Sequence, residues 1–197
     1  MKQNPYARPD ARTRAAKAQG YPARSVFKLE EIDRRVKLFT PGQRVLDLGA
    51  APGSWSLYAA ERVGERGAVL AIDRLPMAQA FPPNVRVVEG DALTLETSAL
   101  SELAPYDVVL SDMAPNTSGS KGADQARSFE LFMRAADVAR QLGRPGSHFV
   151  GKLFMSSDFG AARAALTGAY EKCQVIRPEG TRSRSSEVFL IGLRRRA

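Results

Sequence analysis

Seven short apolar runs, most of them separated by stretches of helical period, constrain this chain more than any other feature. The runs are "RVLDL" (44–48), "AVLAI" (68–72), "VRVV" (85–88), "YDVVL" (106–110), "SHFVGKLF" (147–154), "CQVIR" (173–177) and "EVFLIGL" (187–193). Helical spacing of apolar residues marks 54–63, about 94–103, 124–142 and 158–170 between them. Strands alternating with helices imply a mostly parallel sheet covered on both faces. The last two runs are joined by residues 178–186, which show no helical pattern. That link is short for a parallel crossover, so the final strand is expected to run antiparallel. The expected class is therefore α/β, with a seven-stranded sheet that is parallel except for one strand. Upstream, "ARSVFKLEEIDRRVKLF" (23–39) places Val26, Leu29, Ile32, Val36 and Phe39 on one helical face, and Thr40-Pro41-Gly42 marks its stop.

A chain of 197 residues suits one core. Residues 1–20 read as a flexible basic arm and 21–197 as a single domain. No apolar run reaches the roughly 18–20 residues that a membrane span needs, and the N-terminus lacks the apolar stretch of a secretory signal. Cys173 is the sole cysteine, which rules out an internal disulfide and any cysteine-built metal cluster. The expectation is a cytoplasmic protein with no metal and no membrane partner, acting as a monomer.

The formal charge is +8, and its placement is informative. Residues 1–24 carry a net +5 and residues 177–197 a net +4, leaving a near-neutral body. Two basic ends on such a body suit an anionic polymer as partner, although basic tails also serve solubility alone.

Sheets of this kind bind ligands beyond the carboxyl ends of their strands. Gly49 follows the first strand, Asp73 the second, Asp91 the third and Asp112 the fourth. Lys152 lies near the end of the fifth, and Glu187 begins the last, which starts at that same edge if it is antiparallel. The loop "DLGAAPGSW" (47–55) gives the backbone a tight turn. Gly53 stands 20 residues before Asp73, the usual spacing to an acid that holds a ribose diol. A dinucleotide is one candidate ligand. The loop, however, reads G-x-x-x-G and lacks the middle glycine of a pyrophosphate site. Its neighbours Asp47, Asp73, Asp91 and Asp112 suit a cation better than a diphosphate, which favours S-adenosylmethionine, with its sulfonium and ribose.

"SDMAPNTSG" (111–119) is a polar loop directly after a buried run, so Asp112 reads as an active-site residue rather than a turn cap. Lys152 interrupts an otherwise apolar strand. A buried ammonium needs a partner, and Asp112 on the neighbouring strand exit is the candidate. Lys28 alone reads as one half of a solvated pair with Glu31. His148, the single histidine, sits four residues, about 13 Å, before Lys152 along the strand and reads as structural. Cys173 reads as buried and inert.

Taken together, "RSVFKLEEIDRRVKLFTPGQRVLDLGAAPGSWS", "SDMAPNTSG", "GKLF" and "SRSSEVFL" resemble the FtsJ/RrmJ family. Its members are S-adenosylmethionine-dependent 2′-O-methyltransferases of large-subunit ribosomal RNA. The resemblance runs from about residue 20 to the end. It implies a Rossmann-like methyltransferase fold and places the family's Lys-Asp-Lys-Glu tetrad on Lys28, Asp112, Lys152 and Glu187. It also places cofactor contacts on Gly53, Trp55, Asp73, Asp91 and Asp112, with Trp55 a candidate to stack on the adenine. Three positions depart from the family pattern. Ser54 stands for a second glycine, Val26 for an aromatic before Phe27, and Gly151 for a common valine.

The implied reaction is methylation of a uridine ribose in 23S ribosomal RNA. A ribose 2′-hydroxyl is a weak nucleophile and needs a base at the moment of attack. Free lysine is protonated at neutral pH. A like charge at about 5 Å, in an effective dielectric near 20, costs an ammonium roughly 3 kcal/mol, so Lys28 and the sulfonium are both expected to push Lys152 toward the neutral base. Asp112 would fix its direction, and Lys28 paired with Glu187 would position the ribose and tune Lys152. The competing readings are methylation of transfer RNA or of an RNA cap, a dinucleotide-dependent oxidoreductase, and a non-catalytic RNA-binding module.

Overall fold

The structure is a computed structural model. It describes residues 10–116, 118–179, 181 and 185–197. Thirteen elements follow in order: α1 (Ala11–Ala18), α2 (Val26–Val36), β1 (Arg44–Leu48), α3 (Ser54–Val63), β2 (Ala68–Asp73), β3 (Val85–Glu89), α4 (Thr97–Leu100), β4 (Tyr106–Ser111), α5 (Lys121–Leu142), β5 (Gly143–Phe154), α6 (Phe159–Ala169), β6 (Tyr170–Ile176) and β7 (Glu187–Arg195). One seven-stranded sheet runs in the order β3-β2-β1-β4-β5-β7-β6. Strands β1 to β5 pair in parallel, and β7 is antiparallel to both β5 and β6. The expected architecture, with its reversed last strand, is what forms.

Alternation along the strands splits the core into two layers. Val45, Val108, Leu110, Val150, Phe189 and Ile191 face α2 and α3 with Leu29, Ile32 and Trp55. Leu46, Leu48, Val109, Phe149, Leu153 and Leu190 face the other way, against Phe132 of α5 and Leu166 of α6. This parity also places the polar residues. Lys152 shares the face of Val150, and Phe189, its register partner, shares the face of Glu187. Both charged side chains therefore point toward α2.

The structure departs from the expected elements in four places. Residues 11–18, read as part of a flexible arm, form helix α1. The Asp10 side chain caps it by accepting the Thr13 N–H at 2.7 Å and forms an ion pair with Arg24. Arg8 and the rest of the first nine residues lie outside the described residues. Helix α2 stops at Val36 rather than at Thr40, because Lys37 turns left-handed (φ 53) and Asp33 accepts the N–H groups of Leu38 (2.9 Å) and Phe39 (3.2 Å). The helix expected over 94–103 shrinks to Thr97–Leu100. There the Asp91 carboxylate accepts Leu93 N–H and its carbonyl accepts Leu95 N–H, which commits 91–95 to a turn. Strand β5 begins four residues early, at Gly143, with a register shift against β4 between Tyr106 and Val108.

Candidate active site

The β-strand exits converge as the sequence implies. A cavity of about 660 Å3 opens beyond β1, β2, β3 and β4, lined among others by Gly49, Asp73, Asp91, Asp112, Met113 and Asn116. Gly49 carries φ +77, and a Cβ there would lie 2.6 Å from Met113 Cγ. Only a residue without a side chain lets the β4 exit pass this close. The Asp73 carboxylate is fixed from both sides, accepting Ala51 N–H at 2.9 Å and Leu75 N–H at 2.8 Å. Arg134 of α5 donates to the carbonyls of Ala92 (3.0 Å) and Leu95 (2.7 Å) and so anchors the Asp91 turn. Across the mouth, Arg74 donates to Asn116 at 2.9 Å.

Two ion pairs lie on the face of the sheet toward α2, and Asp112 of one of them lines the cavity. Lys152 is 7% exposed. Its Nζ lies 3.0 Å from Asp112 Oδ1 and donates to the Asp112 carbonyl at 2.5 Å. The partner expected from sequence is thus in place. Lys28 Nζ lies 2.6 Å from Glu187 Oε1 and 5.8 Å from the centre of the Phe189 ring. Lys28, read alone as one half of a solvated pair with Glu31, pairs with Glu187 as the tetrad reading expects, since β7 reaches the exit of β5 from the opposite direction. Glu31 instead pairs with Arg35 and accepts the Glu179 N–H at 2.9 Å.

Gly53 and Trp55 are not among the residues lining the cavity. Gly53 has φ +104, and the space where a Cβ would stand is filled by the amide of Gln79 and the ring of Phe81. Gln79 also donates to the Pro52 carbonyl. The β2–β3 loop thus folds over the start of α3, which accounts for the glycine. Trp55 is 2% exposed. Its indole N–H donates to Ser25 O at 2.9 Å, and its ring leans on Phe189 at 5.6 Å. Ser54 accepts the Ala23 N–H at 2.8 Å and donates back to the Ala23 carbonyl at 3.1 Å. The first turn of α3 therefore clamps the chain leading into α2, the helix that carries Lys28.

Asp47, counted from sequence among the acids suited to a cation, is not among the residues that line the cavity. It is fully buried under the glycine loop, with one oxygen accepting Ser56 Oγ–H at 2.6 Å and the other without a partner among the described residues. Burial, opposed by the Ser56 hydrogen bond and reinforced by Asp112 and Asp73, pushes its pKa up to about 7. The signal in the sequence was a carboxylate inside the apolar run "RVLDL". His148 is structural, as read. Its Nδ1 accepts the Arg194 N–H at 3.1 Å. Burial, then Arg144 and Arg194, hold its pKa below the usual histidine value. Cys173 is half-buried rather than buried, because β6 is the edge strand.

A family model described as FtsJ-like methyltransferase matches residues 21–195. The chain belongs to the FtsJ-like methyltransferase family. Among curated relatives, ribosomal RNA large subunit methyltransferase E of Sorangium cellulosum (strain So ce56) is 68% identical, over 98% of this chain and 92% of its own length. The protein of the same name from Bdellovibrio bacteriovorus is 46% identical, over 91% of this chain and 93% of its own. A solved structure from Plasmodium falciparum, named as a ribosomal RNA methyltransferase, superposes with a TM-score of 0.78 over 89% of this chain and 98% of that one. Its 24% identity bears on the fold alone. This FtsJ-like methyltransferase has a cavity lined by Asp73, Asp91 and Asp112, with the Lys152–Asp112 and Lys28–Glu187 pairs on one face of its sheet.

The cavity fits S-adenosylmethionine. Its volume lies in the range of small-molecule sites, and three carboxylates on successive strand exits suit a ribose diol and a cationic sulfur. Asp73 and Asp91 would hold the nucleoside end, and Asp112 lies between the cavity and Lys152.

Proposed function

We propose that this chain transfers the methyl group of S-adenosylmethionine to the ribose 2′-hydroxyl of a uridine in 23S ribosomal RNA, with Lys152 as the general base. The observation that carries this reading is the buried Lys152–Asp112 pair at the rim of an acid-lined cavity, with the Lys28–Glu187 pair on the same face of the sheet. Bound S-adenosylmethionine supplies the methyl group and a positive charge that disfavours an ammonium beside it.

Lys152 is held by two contacts to one residue, the carboxylate and the carbonyl of Asp112. The carbonyl takes one N–H and the carboxylate stands 3.0 Å away as counter-charge. The amine's remaining directions are open for it to take the hydroxyl proton. Burial keeps bulk water from competing for that proton. Lys28 and Glu187 neutralise each other and offer a donor and an acceptor to the acceptor ribose. Alignment of oxygen, methyl carbon and sulfur supplies much of the rate. In this reading the arm and α1 contribute Arg8, Arg12, Arg14 and Lys17 to RNA binding. The protein works as a monomer on the large ribosomal subunit in the cytoplasm, and no described helix is long and apolar enough to cross a membrane.

The test is incubation with labelled cofactor and either large ribosomal subunits or transfer RNA, followed by mapping of the alkali-resistant linkage. Label in a single 23S uridine ribose is the expected result. Label in transfer RNA or at an RNA 5′ end, or on a base rather than a ribose, would replace this reading.

A further inference from the structure

The last three basic residues, Arg194, Arg195 and Arg196, lie away from the reaction edge. Strand β7 starts at that edge with Glu187 and ends with Arg194 and Arg195 at the opposite one. Phe189 pairs with Lys152, so Arg194 lies five residues, about 17 Å, farther along the strand. The end of α5 brings Arg140 to this far edge, and the start of β5 brings Arg144. Lys172 of β6 pairs there with Leu193.

These arginines are fixed in place. Arg140 pairs with Asp137 (2.8 Å), Arg144 with Asp107 (2.5 Å) and Arg194 with Glu171 (2.6 Å), yet each guanidinium remains at least half exposed. Arg195 Nε donates to the Arg140 carbonyl at 3.1 Å, in the last turn of α5. Arg194 adopts φ 54, a left-handed conformation that costs energy for a residue other than glycine. Its N–H is held by the imidazole of His148 at 3.1 Å. The turn is therefore anchored by the half-buried imidazole of His148, and Arg194 and Arg196 are exposed beside it. Arg140, Arg144, Arg194, Arg195, Arg196 and Lys172 outnumber Asp107, Asp137 and Glu171 and leave this surface net positive.

We infer that this far-edge arginine cluster is a second docking surface for ribosomal RNA, contacting phosphates of a segment other than the one that enters the active site. The inference rests on the proposed ribosomal RNA substrate. Phosphate chemistry fits the composition, since guanidinium forks pre-oriented by one carboxylate keep their outward N–H groups for a second oxyanion. The exposed large apolar residues, Leu75, Val87, Leu93, Met155 and Val175, lie elsewhere. The surface thus lacks the apolar anchors of a protein interface. A folded RNA in a large subunit can reach both edges of so small a domain, while a segment docked at Lys152 alone cannot.

The experiment uses the full chain carrying Arg144→Gln, Arg194→Gln and Arg196→Gln together, with Arg196→Glu alone as the variant least able to disturb folding. Binding to large ribosomal subunits is measured across a salt series, and methyl transfer is followed as a function of subunit concentration. The triple variant is expected to bind subunits about tenfold or more weakly, with the slope of log K against log salt reduced by roughly 2–3. Its KM should rise while kcat at saturation and cofactor affinity stay at wild type. The single charge reversal should give a smaller loss in the same direction. Unchanged subunit binding in both variants overturns the inference. Weaker binding with an unchanged salt slope also overturns it, because the partner would then be something other than RNA phosphate. A wild type that methylates no ribosomal RNA overturns the substrate reading as well, whereas a wild type that methylates beside variants that bind normally overturns this inference alone.

Discussion

Replacing Asp47 with Asn tests whether the carboxyl under the glycine loop is neutral in the folded protein. Burial raises its pKa from 3.8 to about 7. A group with a raised native pKa stabilises the fold fully below its unfolded pKa, and that contribution is lost as pH rises through the native one. Between pH 5 and pH 8, a native value near 7 against an unfolded value near 3.8 withdraws about 2.5 kcal/mol from the wild type. Asn keeps an acceptor for Ser56 Oγ–H and has no proton to lose. Denaturant unfolding of both proteins at pH 5, 6, 7 and 8 isolates the effect, because every other titrating group is shared. The expected result is a stability difference that moves by about 2.5 kcal/mol in favour of Asp47→Asn from pH 5 to pH 8, with most of the change below pH 7. A difference that stays flat across this range would mean that Asp47 is ionised and compensated in the folded state, and the reasoning about its burial would fail.

Lys152→Ala is expected to lower kcat by at least about 10²-fold while cofactor affinity, measured by calorimetry, stays within a few-fold. Lys152→Arg should not restore the rate, since a guanidinium does not give up its proton near neutral pH. Trp55→Phe removes the hydrogen bond to Ser25 O and should cost about 1–2 kcal/mol of stability, with cofactor affinity nearly unchanged. A large loss of affinity instead would place the indole in the cofactor site. Neutralising Arg8, Arg12, Arg14 and Lys17 should weaken RNA binding and flatten its salt dependence, and an unchanged slope would remove this segment from the RNA contact.

The alternation of period-2 and helical patterns made the sheet legible, because each strand is long enough to show its own pattern. The same patterning marked the polar residues that the strand exits gather. Asp73, Asp91, Asp112 and Lys152 all stand where an apolar run ends or is interrupted, and the strand exits bring them together. Lys28 was legible only through the family motif, since its partner Glu187 is distant in sequence and meets it through an antiparallel strand. What stayed hidden depends on contacts between loops. Gly53 looked like a ligand-facing glycine, but Gln79 and Phe81 fill the space beside it, and nothing in "RLPMAQAFPPN" announces that fold-back. Residues 94–103 looked like one helix, but the Asp91 side chain captured the backbone of the turn that precedes Thr97.

Ser54 shows how such hidden contacts bear on function. It departs from the family's glycine, and its hydroxyl clasps both polar groups of the Ala23 peptide. Beside it, Trp55 holds Ser25 O. The glycine loop and the helix bearing Lys28 are therefore tied through one turn of α3. The geometry thus joins the loop that borders the cavity to the helix that carries Lys28.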